Sequence, residues 1–415
     1  MFDPLAALND SAPPPEYDPR AFGARCDLCI LNDANGILRG CGPPVPAVGK
    51  PTAGFAIVGE APGEHEQRER RPFVGPSGME ELRTLAATIG AARADAFWTN
   101  VLLCRPPEND LARAHVVLHR VNEARKGKGQ PPLPPPEECC KPRLLQELLP
   151  FEKVLLLGAT ATKVVSGLRT GIGDMRGGPL ALARLPSGVL RALPPEAIAP
   201  GGAVDPLAVA AAGGVGAPVL AMPSLHPAMV LRSPKWREAA MEDHRRSLRF
   251  WRAALTWRPP RIGFLPTVDD VAAFLGVARE ASGWQARGSA RRAWDWETDR
   301  LEPLDAVVRC LGVGTKEDVL VIPFLSVEKG RPQGPTFYAA SEEAALKDIL
   351  RTWLIGPGLK ISHNGGYYDS LVARTFLAVW PKNQRDMILS QRISEPEMPH
   401  SLAYIGSTRL DIHRW

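Results

Sequence analysis

Residues 55–78 of the chain read FAIVGEAPGEHEQRERRPFVGPSG, and this stretch decides the fold class. A short apolar run, Phe55 to Val58, leads directly into a glycine-rich turn, and a helical pattern from Met79 to Ile89 follows. A buried strand, a turn and a helix in this order are typical of α/β domains with parallel strands. Ligands of open α/β sheets bind outside the carboxyl ends of the strands, so the turn is a candidate binding site.

The same order recurs through the first half of the chain. Short apolar runs predict strands, and longer stretches with helical periodicity predict the helices between them. We therefore expect a three-layer α/β domain with a largely parallel sheet. Beyond the opening stretch, the predicted strands are Ala96 to Thr99, Val154 to Leu157 and Val219 to Met222, and the predicted helices are Ala159 to Leu168 and Lys235 to Trp257.

Two segments interrupt this pattern, and a third feature ends it. Residues 120–137 and 183–217 are rich in Pro, Gly and Ala without clear periodicity, so we expect insertions outside the core. Arg258-Pro259-Pro260 closes the last helix, and a new helical stretch is predicted from Val268 to Ala281. We place one domain at residues 1–257 and a second at residues 258–415.

Composition narrows the functional classes. The chain is 45% hydrophobic and 23% charged, which is typical of folded domains, and its net charge of +5 mildly favours a polyanionic partner. Seven cysteines argue against a disulfide framework and for a reducing compartment. Met1-Phe2-Asp3-Pro4 lacks a signal pattern, and the longest apolar stretch, Leu207 to Met222, falls short of the roughly 20 residues that span a bilayer. We expect a cytoplasmic protein without a membrane span, in a bacterial or phage-infected cell.

Four cysteines form a candidate metal centre. Cys26 and Cys29 make a C-x2-C pair, and Cys104 and Cys140 are each followed closely by proline. Four thiolates can enclose a zinc ion or a [4Fe–4S] cluster, and the prolines favour the cluster. Cys139 adjoins Cys140 and is an alternative fourth ligand.

Five polar motifs follow the predicted strands, and their order and spacing identify a family. Over roughly residues 20–255 the chain resembles the family 4, or iron–sulfur, uracil-DNA glycosylases, and this resemblance also implies that the four cysteines hold a [4Fe–4S] cluster. Such enzymes extrude a nucleotide, hold the base and stabilise the departing uracil anion. The motifs are GEAPGEHE (59–66), RPFVGPSG (71–78), TNVLLCRPP (99–107), LGATA (157–161) and SLHPAMVLR (224–232).

The resemblance assigns roles to five residues. It implies that Phe73 stacks on the flipped uracil, that Asn100 pairs with uracil N3–H and O4, and that His226 hydrogen-bonds O2. It also places Glu66 near the C5 edge, where bulk excludes the thymine methyl. Glu60 is the carboxylate that orients water or stabilises the sugar cation, although the family 1 enzymes carry an aspartate where this motif has Ala61.

The second domain has a different pair of acidic motifs. Asp295 and Glu297 alternate on a predicted strand, so both face one side, and ISHNGGYYD (361–369) brings Asn364 and Asp369. These motifs resemble the DnaQ-like 3′→5′ exonuclease domain of family A DNA polymerases, which implies an RNase H-like fold. Asp295, Glu297 and Asp369 would then hold Mg²⁺ or Mn²⁺. The third motif of that family, which carries a further metal-binding Asp, should follow His400-Ser401-Leu402, and the sequence ends at Trp415 before it appears. We therefore expect a C-terminally incomplete domain with doubtful nuclease activity.

The leading hypothesis is a uracil-DNA glycosylase with a DNA-binding exonuclease-like module, acting as a monomer on uracil-containing DNA. Two alternatives belong to other classes. One is a replication-associated 3′→5′ exonuclease in which the first domain senses uracil. The other is a non-catalytic, DNA-binding N-terminal part of a family A polymerase, which makes a replicative polymerase module a candidate partner.

Overall fold

The protein forms two compact units in its computed structural model. The structure describes residues 17–288, 290–326 and 336–410, so the N-terminal residues used for the signal prediction lie outside it. Within the described ranges, one unit comprises residues 17–257 with 406–410, and the other lies between residues 258 and 405. Each unit has a sheet and a hydrophobic core of its own.

The described part of the first unit contains a six-stranded sheet of order β2-β1-β3-β6-β4-β5. Strands β2, β1, β3 and β6 are parallel, and β4 and β5 extend the sheet as an antiparallel pair. All four predicted strands are confirmed within these bounds. The strands are β1 (Phe55–Gly59), β2 (Ala96–Asn100), β3 (Lys153–Leu157), β4 (Leu180–Arg184), β5 (Leu190–Ala192) and β6 (Val219–Ser224).

Helices cover both faces of this sheet. Ala56 and Val58 of β1 point into one core, and Phe55 and Ile57 point into the other, because successive side chains of a strand alternate between its faces. The three-layer α/β fold that was predicted is therefore confirmed. The helices are α1 (Glu64–Glu69), α2 (Pro76–Ile89), α3 (Leu111–Lys126), α4 (Pro136–Glu147), α5 (Gly158–Ser166), α6 (Ile172–Met175), α7 (Pro206–Ala211), α8 (Pro227–Arg232) and α9 (Arg237–Trp251).

The two segments interpreted as insertions have different structures. Residues 183–217 contribute the end of β4, all of β5 and α7, and they bury Leu190, Ile198 and Val209. The expectation that this segment lies outside the core is wrong, because β5 pairs with β4 and extends the sheet, and the buried side chains of the segment belong to the core clusters. Residues 120–137 instead form the end of α3 and a mostly exposed loop that leads into α4.

The second unit has a mixed sheet. Its described residues give the order β14-β13-β10-β11-β12-β7, in which β10, β11 and β12 are antiparallel neighbours while β13 and β14 run parallel to β10. This order and these directions define the predicted RNase H-like fold. The strands are β7 (Arg261–Phe264), β8 (Val277–Glu280), β9 (Gly283–Ala286), β10 (Arg292–Thr298), β11 (Val308–Gly314), β12 (Asp318–Pro323), β13 (Lys360–Ser362) and β14 (Gln384–Asp386).

The helix predicted from Val268 to Ala281 is shorter than expected. It ends at Leu275 because Gly276 adopts a left-handed conformation (φ 67°), and the chain then forms the hairpin of β8 and β9. The helices in this part of the chain are α10 (Val268–Leu275), α11 (Ala340–Ile355), α12 (Tyr368–Leu377), α13 (Met387–Ser394) and α14 (Leu402–Arg409).

Not one helix of the described ranges combines the length and the apolar character that crossing a bilayer requires.

Candidate active site

A cavity of about 480 Å³ opens at the carboxyl ends of β1, β2 and β6 in the first unit. All five residues predicted to handle uracil line this cavity, although they come from four separate motifs. The sequence interpretation did not include three other polar residues at its wall, Ser77, Asn109 and Arg232. The five predicted residues are Glu60, Glu66, Phe73, Asn100 and His226.

Strand register brings Glu60 and Asn100 together. Gly59 pairs with Asn100 across β1 and β2, and the ladder continues beyond the strands with a hydrogen bond from Leu102 N–H to the Glu60 carbonyl (2.9 Å). Asn100 is only 5% exposed. A Cβ at Gly59 would lie 2.3 Å from Asn100 Oδ1 and 2.7 Å from Phe73 Cζ. The position therefore needs glycine for the amide and the ring to approach each other.

Phe73 is held in a conformation that is rare for an L-residue. Its φ is 56°, and left-handed backbone at a non-glycine residue costs on the order of 1–3 kcal/mol. The buried guanidinium of Arg93 donates to the Phe73 carbonyl (3.0 Å) and to the Pro72 carbonyl (2.5 Å). The centroids of the Phe73 and Trp98 rings lie 5.0 Å apart. The Arg93 guanidinium lies over the Trp98 ring, also 5.0 Å from its centroid. These contacts stabilise the strained turn and fix the ring at the cavity wall.

Glu66 connects the two glycine-rich turns. Its carboxylate accepts hydrogen bonds from Gly63 N–H (2.8 Å) and Gly75 N–H (3.2 Å), and the residue is 9% exposed. Both of its oxygens thus have backbone partners, one in each turn. The side chain lines the cavity, and its hydrogen bonds also fix the relative positions of the segments that carry Glu60 and Phe73.

One hydrogen bond to the backbone defines the orientation of the His226 ring. It follows β6 and caps α8, where its Nδ1 accepts the backbone N–H of Ala228 (3.2 Å). Burial lowers the pKa of His226, although the negative charges of Glu60 and Glu81 oppose this effect. The neutral imidazole with Nδ1 as acceptor carries its proton on Nε2, so Nε2–H is available as a donor.

The end of β6 that precedes His226 is anchored by a buried ion pair. Ser224 donates to Asp243 (3.0 Å), and the Asp243 carboxylate also binds the Arg176 guanidinium. All three side chains are buried. Removing one partner of such a pair leaves an uncompensated buried charge, so this arrangement is rigid.

Glu60 faces a polar environment. Thr160 of the LGATA motif donates its hydroxyl to Glu60 Oε2 at 2.5 Å. Glu60 also borders a second cavity of about 450 Å³, where His115 Nε2 lies 2.9 Å from Glu137 Oε1. The hydroxyl of Thr160 orients the carboxylate between these two spaces.

The cysteines surround a separate cavity of about 890 Å³. Its loop is held by Asn35, whose amide donates to the carbonyls of Cys26 (3.0 Å) and Cys29 (2.7 Å). Burial raises the pKa of Cys26 to about 11, so a metal centre would have to supply the positive charge that makes this thiol a thiolate. The cysteines at the cavity are Cys26, Cys29, Cys104, Cys139 and Cys140.

This set of donors fits an iron–sulfur cluster. The ligands offered are thiols on several elements around a large cavity, which is the ligand type of a [4Fe–4S] centre. Within the described ranges, no group of three or more His, Cys, Asp or Glu side chains is arranged to hold a single metal ion. Cys139 and Cys140 both line the cavity, so the choice of the fourth ligand stays a prediction.

The acidic residues of the second unit occupy two environments. Asp295 and Glu297 lie on the exposed face of β10, opposite the buried Trp294 and Trp296. Asp369 lies at the start of α12, is 2% exposed, and accepts the Trp296 N–H through Oδ1 (2.9 Å). Burial raises the pKa of Asp369 to about 7. Asn364 precedes this helix in the left-handed conformation (φ 64°).

The first unit is similar to a known class of proteins. Residues 46–251 match the family model of the Uracil DNA glycosylase superfamily. The Type-4 uracil-DNA glycosylase of Sulfurisphaera tokodaii is 48% identical over 65 residues, which are 16% of this chain and 30% of that protein. The Type-4 uracil-DNA glycosylase of Pyrobaculum aerophilum is 32% identical over 139 residues, 32% of this chain and 60% of that protein. The chain thus spans about a third to three fifths of the length of these curated relatives.

A solved structure was also matched. The crystal structure of Escherichia coli RNase D, an exoribonuclease involved in structured RNA processing, matches 36% of this chain and 33% of its own chain, with 19% identity and a TM-score of 0.23. The strand order and directions of the second sheet, independently of this match, define the RNase H-like fold.

Proposed function

We propose that the first unit excises uracil from DNA by hydrolysing the N-glycosidic bond of deoxyuridine. The observation that carries this proposal is that Phe73, Asn100 and His226, from three separate segments, line one cavity of about 480 Å³. An aromatic ring, a buried amide and an imidazole donor are the groups needed to hold a flipped pyrimidine and stabilise it as a leaving group. The similarity to Type-4 uracil-DNA glycosylases supports the same activity.

Base recognition is assigned to Asn100 and Phe73. The Asn100 amide can donate to uracil O4 and accept from N3–H, whereas cytosine presents the opposite pattern at these positions. The Phe73 ring offers a flat apolar face for stacking. A site with fixed hydrogen-bonding groups discriminates strongly, because the wrong base leaves buried polar groups unpaired.

Bond cleavage is assigned to His226 and Glu60. As the C1′–N1 bond breaks, its electron pair moves onto uracil, and His226 Nε2–H donates to the negative charge that develops on O2. Glu60, oriented by Thr160, positions a water whose oxygen adds to C1′. The Glu60 carboxylate accepts the proton that this water loses, and the uracil anion takes up a proton at N1 when it is released, so the net reaction adds one water across the C1′–N1 bond. Glu66 keeps the two turns in register and lies at the edge proposed to exclude the thymine methyl.

We further propose that Cys26, Cys29, Cys104 and Cys140 hold a [4Fe–4S] cluster. When bound, the cluster would supply a structural crosslink between the N-terminal loop, the segment after β2 and helix α4. Protein purified anaerobically should then be yellow-brown, with broad absorbance near roughly 400 nm from thiolate-to-iron charge transfer. A colourless preparation that contains zinc would contradict this assignment.

One assay tests the proposed function. The protein is incubated with labelled DNA that contains one uracil, with and without Mg²⁺ or Mn²⁺. Alkali-labile abasic sites formed without added metal are the expected result. Metal-dependent shortening from the 3′ end without abasic sites would favour the replication-associated nuclease, and neither product would favour a non-catalytic DNA-binding protein.

The second unit is proposed to bind DNA through the face of β10 that carries Asp295 and Glu297, with Asp369 beside it. Its RNase H-like fold and the pair of acidic motifs support this role, with Mg²⁺ or Mn²⁺ as the ion. We propose that the protein acts as a cytoplasmic monomer, and that a replicative polymerase module of the family A type is the partner that such a domain would serve.

A further inference from the structure

Arg143 connects the cysteine cavity to the base-recognition residue. It lies on α4, three residues after Cys140, and its side chain is 0% exposed. One nitrogen, Nη2, donates to the carbonyls of Asn100 (2.8 Å) and Val101 (2.7 Å). The other, Nη1, donates to Thr99 Oγ1 (3.0 Å) and Glu147 Oε2 (2.7 Å). A single guanidinium therefore holds three consecutive residues at the end of β2.

These backbone contacts occur at the carboxyl end of β2. Asn100 is the last residue of this strand and lines the cavity of about 480 Å³. Buried carbonyls require hydrogen-bond partners, and an unpaired one is costly. Arg143 supplies both partners from another element, so the orientation of the Asn100 peptide depends on where α4 lies.

The other end of the connection is Cys140. Cys140 lies on the same helix as Arg143, three residues or about one helical turn earlier, and lines the cysteine cavity. Helix α4 thus carries both a candidate cluster ligand and the arginine that holds the backbone of the candidate recognition residue.

The charge of Arg143 is balanced inside the same network. Glu147 accepts from Arg143, from Thr99 Oγ1 (2.7 Å) and from Tyr17 Oη (2.8 Å). A buried ion pair with several additional hydrogen bonds adopts one geometry and resists displacement. Movement of α4 would therefore be transmitted to β2 rather than absorbed between them.

We propose that Arg143 is a positioning residue that couples the metal centre at the cysteines to the selection of uracil by Asn100. The inference rests on the proposed function. When the cysteines are ligated, α4 is fixed, and Arg143 fixes the Asn100 peptide so that its amide presents the pattern complementary to uracil. Loss of Arg143 or of the cluster lowers the preference for uracil over cytosine, while the His226 side of the cavity keeps its geometry.

The experiment measures base preference by binding as well as by cleavage. The probes are two DNA duplexes that resist cleavage and differ in one nucleotide, 2′-fluorodeoxyuridine in one and 2′-fluorodeoxycytidine in the other. Binding of both is measured for the wild type and for Arg143→Lys, which keeps the charge but lacks the planar pair of donors. The matched control is Arg191→Lys, because Arg191 lies on β5 and also donates to a backbone carbonyl of this unit, that of Ala212 (3.0 Å).

The expected result is a fall of about tenfold in the preference of Arg143→Lys for the uridine probe, the effect of losing one or two buried hydrogen bonds. Its iron content and absorbance near 400 nm should stay at the wild-type level, and Arg191→Lys should keep the full preference. If Arg143→Lys does not fold, the charge-balanced pair Arg143→Met with Glu147→Gln replaces it, and circular dichroism checks the fold.

Iron is then removed by oxidation and chelation from both the wild type and Arg143→Lys. The two proteins, each with and without iron, form the four states of a double-mutant cycle. Iron loss should lower the preference of the wild type and cause no further loss in Arg143→Lys. Additive losses, or an unchanged preference in Arg143→Lys, would overturn the inference. An equal fall in uridine and cytidine binding would assign Arg143 a purely structural role and overturn it too. A wild type with no preference and no excision would instead overturn the proposed function.

Discussion

The buried Arg93 guanidinium holds the left-handed turn that places the Phe73 ring at the cavity wall. Phe73 belongs to a recognisable PFVG segment, whereas Arg93, which holds the left-handed Phe73 turn, lies 20 residues away in an ordinary stretch. Burial lowers the pKa of Arg93 to about 10, which reflects how completely the guanidinium is removed from water. Arginines of this kind bind backbone carbonyls. Because every residue has such a carbonyl, the sequence does not indicate which one an arginine will bind.

Asn100 provides the first test at this scale. The Asn100→Asp variant should lose its preference for uracil, because a carboxylate cannot donate to O4 and can accept from the cytosine amino group. Uracil excision should fall by on the order of 10²-fold or more. Single-turnover excision from duplexes with one uracil or one cytosine measures both effects.

The matched control for this variant is Asn122→Asp. Asn122 is another asparagine of the first unit, and its side chain binds the Leu133 backbone away from the cavity. Wild-type excision by Asn100→Ala would show that the amide has no recognition role.

His226 gives a prediction about pH. Burial lowers its pKa, so the imidazole stays neutral at about pH 6.5, the usual histidine value. Protonation would place a hydrogen on Nδ1 and remove the acceptor of Ala228 N–H. The single-turnover rate should therefore be unchanged from about pH 8 to about pH 6.5 and fall only at lower pH.

The same histidine should act mainly on the chemical step. His226→Ala should lower the excision rate by on the order of 10²-fold, the loss typical of an oxyanion donor, while binding of the uncleavable uridine duplex changes little. A wild-type rate that halves at pH 6.5, or an unchanged rate in His226→Ala, would remove the neutral donor from the mechanism.

At the scale of elements, success and failure of the sequence interpretation have a common cause. Strands β1, β2, β3 and β6 of the first sheet were predicted because each is an apolar run that ends at, or directly before, a glycine or polar residue. Strand β4 was missed because Leu180–Arg184 is followed by a stretch rich in Ala, Gly and Pro, and its burial comes from pairing with β6. Pairing between distant segments overrides local composition. A single residue can also override an apolar pattern. Gly276 adopts a left-handed conformation and ends α10, although the pattern that predicted a longer helix continues beyond it.

The close approach of β1 and β2 at the cavity gives a prediction for Gly59. A Cβ there would lie 2.3 Å from Asn100 Oδ1, so Gly59→Ala must displace the amide or the Phe73 ring. Affinity for the uncleavable uridine duplex should fall by at least about tenfold, with a stability loss of about 1–3 kcal/mol. Gly173→Ala is the matched control, since a Cβ at Gly173 meets nothing within 4 Å. Equal affinities of the two variants would show that the cavity tolerates a shifted amide.

At the scale of the whole molecule, the chain combines two α/β units with different sheet topologies. In the first unit the motifs follow the strands, whereas in the second unit the D-x-E pair lies within β10 and Asp369 lies on α12. The roles of the acids in the second unit were less predictable, since a D-x-E pair specifies which face the acids share and says nothing about their partners. Asp369 shows this, because a backbone amide of β10 occupies one of its oxygens.

The last prediction concerns the independence of the two units. The proposed excision of uracil uses groups of the first unit and no added metal, so Asp295→Ala should excise uracil at the wild-type rate. Mg²⁺-dependent shortening from the 3′ end should be weak in the wild type, because Asp295 and Glu297 lie exposed on β10 while Asp369 binds Trp296 N–H. Both reactions are followed on one labelled duplex that contains a single uracil, and His226→Ala should affect only the first. Robust Mg²⁺-dependent degradation that Asp295→Ala abolishes would show that these acids assemble a competent site on DNA. A loss of excision in Asp295→Ala would show instead that the second unit contributes to the chemistry of the first.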